Sequence, residues 1–335
     1  MKKAVLGPVI GFALLAAVPA VVSDNYFLHL LVLFLLWVVI GAAWNLFAGY
    51  TGQVSFGHAA FFGSGAYTAG LLAQHLHVSA WWGMLLGPVV ALAVAVPFGA
   101  ICFPLRGAYF ALASLALNEI LRHAATIAEP LTGGMVGIMI MPSFVSKVPF
   151  YYIALVMAAA ALLSIALIMR SKWGYYFVSI REDPDAAESL GINTTAFKTV
   201  SLGVSTFWAG LAGALYMNYM GFIDPHVVFS LHDISVMSIL VAIVGGVGTL
   251  YGPVVGAFIM VAVQESFRSG FFGFLKYLVD KSGSATFGEL SEVIKHAHVL
   301  AFGVLVVVVI LLLPNGIVGD WRKIKRFVLR TGEGG

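Results

Sequence analysis

Four polar side chains interrupt the otherwise apolar residues 107–128. On a helix, Glu119, Arg122 and His123 would share one face, with Asn118 one position before them. Ionisable groups inside a membrane helix usually mark a path for an ion or a substrate. Alternatively, Glu119 and Arg122 neutralise each other and only orient the helix. The sequence leaves both interpretations open.

Glycine clusters with polar residues at 49–58 (GYTGQVSFGH) and again at 245–253 (GGVGTLYGP). Irregular backbone at membrane depth is tolerated only against protein or a water-filled cavity. The first cluster therefore predicts a broken helix beside a translocation path, with a tight turn between two helices as the alternative. Its candidate path residues are Gly52, Gln53, Ser55, Gly57 and His58.

A third glycine-rich segment, residues 132–137 (TGGMVG), follows the polar helix. We add Thr132, Gly133, Gly134 and Glu119 to the candidate path residues. The small residues at 63–66 (GSGA) have a different interpretation, because small side chains let two helices approach closely. There we predict helix packing.

The polar loop at 170–198 contains the signals of a short helix with defined ends. Asp183 is a good N-cap, Pro184 suits the first helical position, and Gly191 is placed to end the helix. Asp185 and Glu188 complement the positive start of the helix dipole. The small residues of this predicted helix, which would form its contact face, are Ala186 and Ala187. A solvated surface loop is the alternative.

The composition excludes most soluble classes of protein. Of 335 residues, 61% are hydrophobic and only 10% are charged, against roughly 25% charged in a soluble domain. Such a chain has too little charge for the surface of a soluble enzyme, and it is neither a nucleic-acid binder nor disordered. Cys102 is the single cysteine, so no internal disulfide can form.

Ten apolar runs are candidates for membrane helices, which need about 20 residues each. They lie at 4–22, 27–48, 58–73, 82–103, 107–128, 149–169, 200–220, 234–251, 254–263 and 299–313. We predict an all-α, polytopic integral membrane bundle of about ten transmembrane helices with Gly-rich broken segments. Residues 1–320 would form a single transmembrane domain, and residues 321–335 a basic cytoplasmic tail.

The distribution of Lys and Arg predicts the orientation. With ten spans and the N-terminus inside, twelve basic residues face the cytoplasm and five face outward, which satisfies the positive-inside rule. Both termini are then cytoplasmic. The first run, after Lys2 and Lys3, could be a signal peptide, but its length favours a retained helix. The outer segment 268–296 is predicted to be interfacial or part of a docking surface.

Motifs of catalysis and nucleotide binding are absent from the sequence. It contains no P-loop, no H-E-x-x-H and no G-x-S-x-G. The pairs His75/His77 and His296/His298 make weak metal sites at best. We therefore expect no catalytic residue, no metal site and no cofactor, which disfavours an intramembrane enzyme.

Several segments together resemble the LivM-type permeases, the membrane subunits of ABC importers for branched-chain amino acids. The matching motifs occur in the family's order at 45–68, 106–112, 132–134, 180–192, 245–253 and 313–316. The resemblance covers roughly residues 27–320. Met135 and Met139 depart from it, because the family is often more polar near this outer loop.

The resemblance implies a fold of about ten helices in a bacterial inner membrane, without enzymatic activity of its own. It implies a LivH-type second permease, two ATPase subunits of the LivG and LivF type, and a periplasmic binding protein. It also makes 170–198 a coupling loop that meets the ATPases. The implied coupling residues are Arg181, Glu182, Asp183, Pro184, Asp185, Ala186, Ala187, Glu188, Leu190, Gly191 and Ile192. Related permeases carry urea, short amides or other amino acids, and an ion-coupled secondary carrier is the alternative of another class.

Overall fold

The computed structural model describes residues 11–12, 14–20, 24–105, 107–266, 303, 307, 311 and 316–319. The described part is almost entirely helical, so the prediction of an all-α membrane protein is confirmed. The predicted spans 4–22 and 299–313 fall largely outside it. Segment 268–296, Arg106 and the basic tail fall wholly outside it.

Five of the described helical segments are long and apolar enough to cross a membrane. They are Asn25–Tyr50, Trp82–Cys102, Val148–Arg170, Thr194–Met220 and Pro225–Gly245. The full count of about ten spans is not confirmed by these five. Three more helices, His58–His75, Ala108–Ile127 and the shorter Gly252–Glu265, coincide with the remaining apolar runs of the described part.

Short connections join the elements between Asn25 and Glu265. In chain order they are α1 Asn25–Trp44, a π-helical turn Asn45–Tyr50, α2 His58–His75, α3 Trp82–Cys102, α4 Ala108–Ile127, α5 Glu129–Thr132, β1 Ile138–Met139, α6 Val148–Arg170, α7 Lys172–Glu182, α8 Pro184–Ser189, α9 Thr194–Met220, β2 Phe222–Ile223, α10 Pro225–Val228, a second π-helical turn Leu231–Val236, α11 Met237–Gly245, α12 Gly252–Glu265 and α13 Gly316–Gly319.

Helices α2, α3 and α9 pack closely against one another. Gly65 lies against the backbone of Gly210, and a Cβ at Gly87 would stand 3.2 Å from both Ala214 and Gly65. Gly210 in turn faces Ala91 of α3. Backbones approach this closely only where the side chain is a hydrogen or a methyl group. The packing predicted for residues 63–66 is therefore confirmed.

A short antiparallel ladder joins two connections at one end of the bundle. Ile138 pairs with Ile223, and Met139 pairs with Phe222. Gly137 precedes β1 with φ +79°, a conformation that glycine adopts without strain. The ladder holds the third glycine-rich segment against the end of α9.

Helix α6 separates two loops that the predicted topology places on opposite sides. Reporter fusions after Lys147, just before α6, should read as external, and fusions after Asp183 as internal. Fusions after Lys281 and Arg330 are expected to read as external and internal. Paired alkaline phosphatase and fluorescent-protein reporters measure this. An external signal at Asp183 would overturn the topology and any cytoplasmic docking role.

Candidate functional site: the glycine-rich breaks and the cytoplasmic loop

The first glycine-rich segment breaks the helix, as predicted. Helix α1 widens into the π-helical turn that ends at Tyr50, and the backbone is irregular until α2 begins at His58. Gly52 has φ +76°, and its N–H donates to the carbonyl of Ala48 at 3.0 Å. The broken geometry is present. Whether this break lines a path stays a prediction.

Within this break, the predicted path residues differ in exposure. Gly52 is exposed and Gln53 is half-buried. Ser55 is buried, and its hydroxyl accepts a hydrogen bond from the N–H of Gly57 at 3.1 Å. His58 is also buried, with Nε2 2.8 Å from the hydroxyl of Ser205 on α9. In the single chain, Gly52 and Gln53 are thus the accessible members of the set.

Asn45 joins the two glycine-rich segments. Its Nδ2 donates to the carbonyl of Thr249 at 2.8 Å, and its Oδ1 accepts from the N–H of Gly248 at 2.8 Å. A Cβ at Gly49 would collide with this Asn45 side chain, so position 49 needs glycine. Asn45 is not among the residues that the sequence predicted to be functional. The feature of the sequence that could have identified it is a side-chain amide near the end of an apolar run, shortly before the glycine cluster.

The second glycine-rich segment has a further contact. Gly316, the described end of the motif at 313–316, has φ +71° and packs on the backbone of Gly246. The segments 49–58 and 245–253 and the residue Gly316 are therefore close in space, although long stretches of chain separate them.

The short helix predicted in the polar loop is confirmed as α8. The Asp183 carboxylate accepts hydrogen bonds from the N–H groups of Asp185 and Ala186 at 2.9 and 3.1 Å. Pro184 occupies the first helical position, and Gly191 follows the helix with φ +85°. These are the caps that the residue types predicted.

The predicted small-residue face of α8 is only half correct. Ala186 is exposed, but Ala187 is 2% exposed and packs inside the chain. Successive helical residues point about 100° apart, so the side of α8 that faces the bundle takes Ala187 and leaves Ala186 outside. Leu190 is 81% exposed, and Glu188 is hydrogen-bonded to Thr194 at the start of α9. The outward face therefore centres on Ala186 and Leu190.

The polar group on α4 contains an ion pair. Nη2 of Arg122 lies 2.6 Å from Oε2 of Glu119, and Nη1 lies 3.3 Å from Nδ1 of His226 on α10. His123 Nε2 stands 3.9 Å from the same Glu119 oxygen. Asn118 is buried and donates to the carbonyl of Phe229. The ion pair that would orient the helix is therefore present. Because Glu119 is partly exposed, it also remains accessible as a path residue.

Glu119→Gln separates the two roles of the pair. Partly exposed ion pairs contribute about 0–1 kcal/mol, so the variant should accumulate in the membrane like the wild type. If Glu119 faces the path, we expect substrate uptake to fall severalfold while the amount of protein is unchanged. Uptake at the wild-type rate would assign the pair to orienting α4.

Thr132, Gly133 and Gly134 form a tight turn after α5. The Thr132 hydroxyl lies 2.5 Å from the carbonyl of Ala125 and accepts from the N–H of Gly134 at 3.2 Å. Gly133 and Gly134 have φ of +73° and +54°. Beyond the turn, Met135 is largely exposed. The local geometry explains the three residue types, and their place on a path stays a prediction.

Comparison with known proteins gives one family and several relatives. The sequence model of the family described as "Branched-chain amino acid transport system / permease component" matches residues 26–313. The high-affinity branched-chain amino acid transport system permease protein LivM of Salmonella typhimurium is 26% identical over 264 residues, which are 70% of this chain and 62% of the relative. The probable branched-chain amino acid transport permease protein LivH of Methanocaldococcus jannaschii is 28% identical over 166 residues, 48% of this chain and 46% of the relative.

A third relative is named for a different substrate. The autoinducer 2 import system permease protein LsrC of Photorhabdus luminescens is 23% identical over 124 residues, 36% of each chain. The match to LivM spans 62% of that relative's length. No solved structure matches the chain.

The apolar helices, interrupted by glycine-rich breaks and joined by a polar loop with a capped helix, are those of a multi-pass membrane protein. The family match covers most of the sequence. The chain belongs to the permease components of branched-chain amino acid transport systems, as its six motifs predicted.

Proposed function

We propose that this chain is the transmembrane permease subunit of an ABC importer for branched-chain amino acids. The observation that carries the proposal is α8, a capped helix that projects Ala186 and Leu190 outward from the polar loop. A connection between two membrane helices needs only a few residues. A secondary carrier has no need of a docking helix, whereas an importer driven by separate ATPases requires one.

The proposal includes the partners that the family resemblance implies. A LivH-type permease completes the pathway, two ATPase subunits of the LivG and LivF type bind the coupling loop 170–198, and a periplasmic binding protein delivers leucine, isoleucine or valine. The chain would reside in the bacterial inner membrane with both termini cytoplasmic. Selectivity would lie largely in the binding protein, and no nucleic acid or enzymatic step is involved.

The mechanism is alternating access. Closure of the ATPases on nucleotide moves α8 as a lever, and the attached helices α7 and α9 transmit this movement to the bundle. The glycine-rich breaks would then open the path to one side at a time. Gly52, Gln53, Ser55, Gly57, His58, Glu119, Thr132, Gly133 and Gly134 remain the proposed path residues.

Two other functions fit less well. Uptake of urea, short amides or other amino acids would use the same architecture, and the LsrC relative is named for the import of autoinducer 2, a different substrate. An ion-coupled secondary carrier would rely on Glu119, Arg122 and His123. The paired geometry of Glu119 and Arg122, together with α8, favours the importer.

Copurification tests the proposed function. An affinity-tagged chain, extracted from its own membranes in mild detergent, should retain two ATPase subunits and a second permease. Identification of the retained proteins by mass spectrometry is the readout. Recovery of the chain as a lone carrier, with no nucleotide-binding subunit after cross-linking, would contradict the importer.

A further inference from the structure

Arg181 is attached directly to the docking helix. It is the penultimate residue of α7. Asp183, two positions later, is both the C-cap of α7 and the N-cap of α8. The backbone between Arg181 and α8 therefore contains no flexible linker. Only Glu182 and Asp183 separate Arg181 from α8, so a displacement of α8 would move Arg181 as well.

The guanidinium group of Arg181 joins the protein surface to the first glycine-rich break. Nε and Nη2 donate to Oε1 of Glu182 at 3.1 and 2.6 Å. Nη1 points inward and donates to the carbonyl oxygen of Gly49 at 3.1 Å. The Arg181 side chain is 37% exposed and that of Glu182 is 67% exposed. The Nε and Nη2 side of the guanidinium group thus faces the exposed Glu182, and Nη1 binds a backbone carbonyl inside the protein.

Glycines provide the space around this side chain. A Cβ at Gly52 would lie 3.0 Å from Cγ of Arg181, and a Cβ at Gly248 would lie 3.1 Å from its Nη1. Gly49, whose carbonyl accepts the hydrogen bond, lies against the N–H of Gly248. The glycine-rich character of both segments is thereby explained locally, because larger residues at 52 and 248 would displace Arg181.

Asn45 makes the two breaks a single mechanical unit, since its amide group binds Gly248 and Thr249 of the second segment. We propose that Arg181 is a positioning residue that transmits movement of α8 to both glycine-rich breaks through Gly49 and Asn45. The inference rests on the proposed function and deepens it. It assigns Arg181 a role inside the permease, distinct from contact with an ATPase.

The test uses the assembled transporter in proteoliposomes and measures ATP hydrolysis and amino acid uptake on the same sample. Arg181→Ala should keep its ATPases and hydrolyse ATP within about twofold of the wild type. Uptake per ATP hydrolysed should fall roughly tenfold or more, as expected for losing a hydrogen bond to a charged group. Arg181→Lys retains one donor but not the fork, so its ratio should be intermediate. Lys147→Ala is the matched control, because it removes another hydrogen bond from a cation to a backbone carbonyl, from Nζ to the carbonyl of Asn25 at 3.2 Å, outside the coupling loop. It should keep the wild-type ratio.

Each outcome decides between the roles. A wild-type ratio in Arg181→Ala overturns the inference. Loss of the ATPases from Arg181→Ala also overturns it, because Arg181 would then be a docking contact, and the proposed function would stand. If Arg181→Ala does not accumulate, a lowered ratio in Arg181→Lys supports the inference and an unchanged ratio overturns it. A wild-type chain without ATPases refutes the proposed function itself, so the two failures are distinguishable.

Discussion

Gly213→Ala is expected to remove most of the folded permease from the membrane. A Cβ at this position of α9 would collide with the carbonyl oxygen of Phe62 on α2. Backbone atoms cannot move aside as a flexible side chain can, so the two helices must separate. Overpacking of this kind costs about 1–3 kcal/mol or more. The amount of protein in the membrane and its thermal stability in detergent are the measurements.

Gly203→Ala is the matched control on the same helix. A Cβ there would meet only Cδ2 of Leu92 at 3.4 Å, an ordinary van der Waals contact. Replacing glycine by alanine inside a helix otherwise stabilises by about 0.5–1 kcal/mol, so Gly203→Ala should be neutral or more stable. Equal stability of the two variants would contradict the close packing of α2 against α9.

Ala186→Trp should abolish ATPase association and uptake together. Ala186 is exposed on α8, so we expect the permease fold to accommodate the ring. It would occupy the space that a docked partner requires. Immunoprecipitation of the complex and amino acid uptake in the same membranes measure both effects.

Tryptophan substitutions at two further alanines are the controls for this result. Ala108→Trp places the same ring on another exposed alanine, at the start of α4 and outside the coupling loop, and should leave association unchanged. Ala187→Trp changes a buried alanine and is expected to lower the amount of folded permease. If Ala186→Trp retains its ATPases and transports normally, α8 is a surface helix and the importer loses its main physical support.

Local signals predicted the ends of the elements well. Asp183, Pro184 and Gly191 act through their own backbone neighbours, so their residue types alone identify α8 and its caps. The apolar runs predicted the membrane helices for the same reason, because a span depends on continuous hydrophobicity. The full number of spans remains a prediction.

Contacts between distant segments could not be predicted in this way. The sequence could not show that Ala187 faces inward, because that depends on how α8 lies on the bundle. Nor could it place Arg181 beside Gly49, since 132 positions separate them. Ser55 and His58 are predicted path residues, and in the single chain both are buried. The sequence could not show that the Ser55 hydroxyl accepts from the N–H of Gly57 and that His58 Nε2 lies 2.8 Å from the Ser205 hydroxyl.

Uptake by the copurified complex in proteoliposomes tests the central claim most directly. Labelled leucine is supplied with the cognate binding protein outside, and ATP is enclosed with the ATPase subunits. We expect uptake that requires both ATP and the binding protein, and that persists when ion gradients are collapsed. Leucine uptake that needs no ATP and follows an imposed proton or sodium gradient would contradict it.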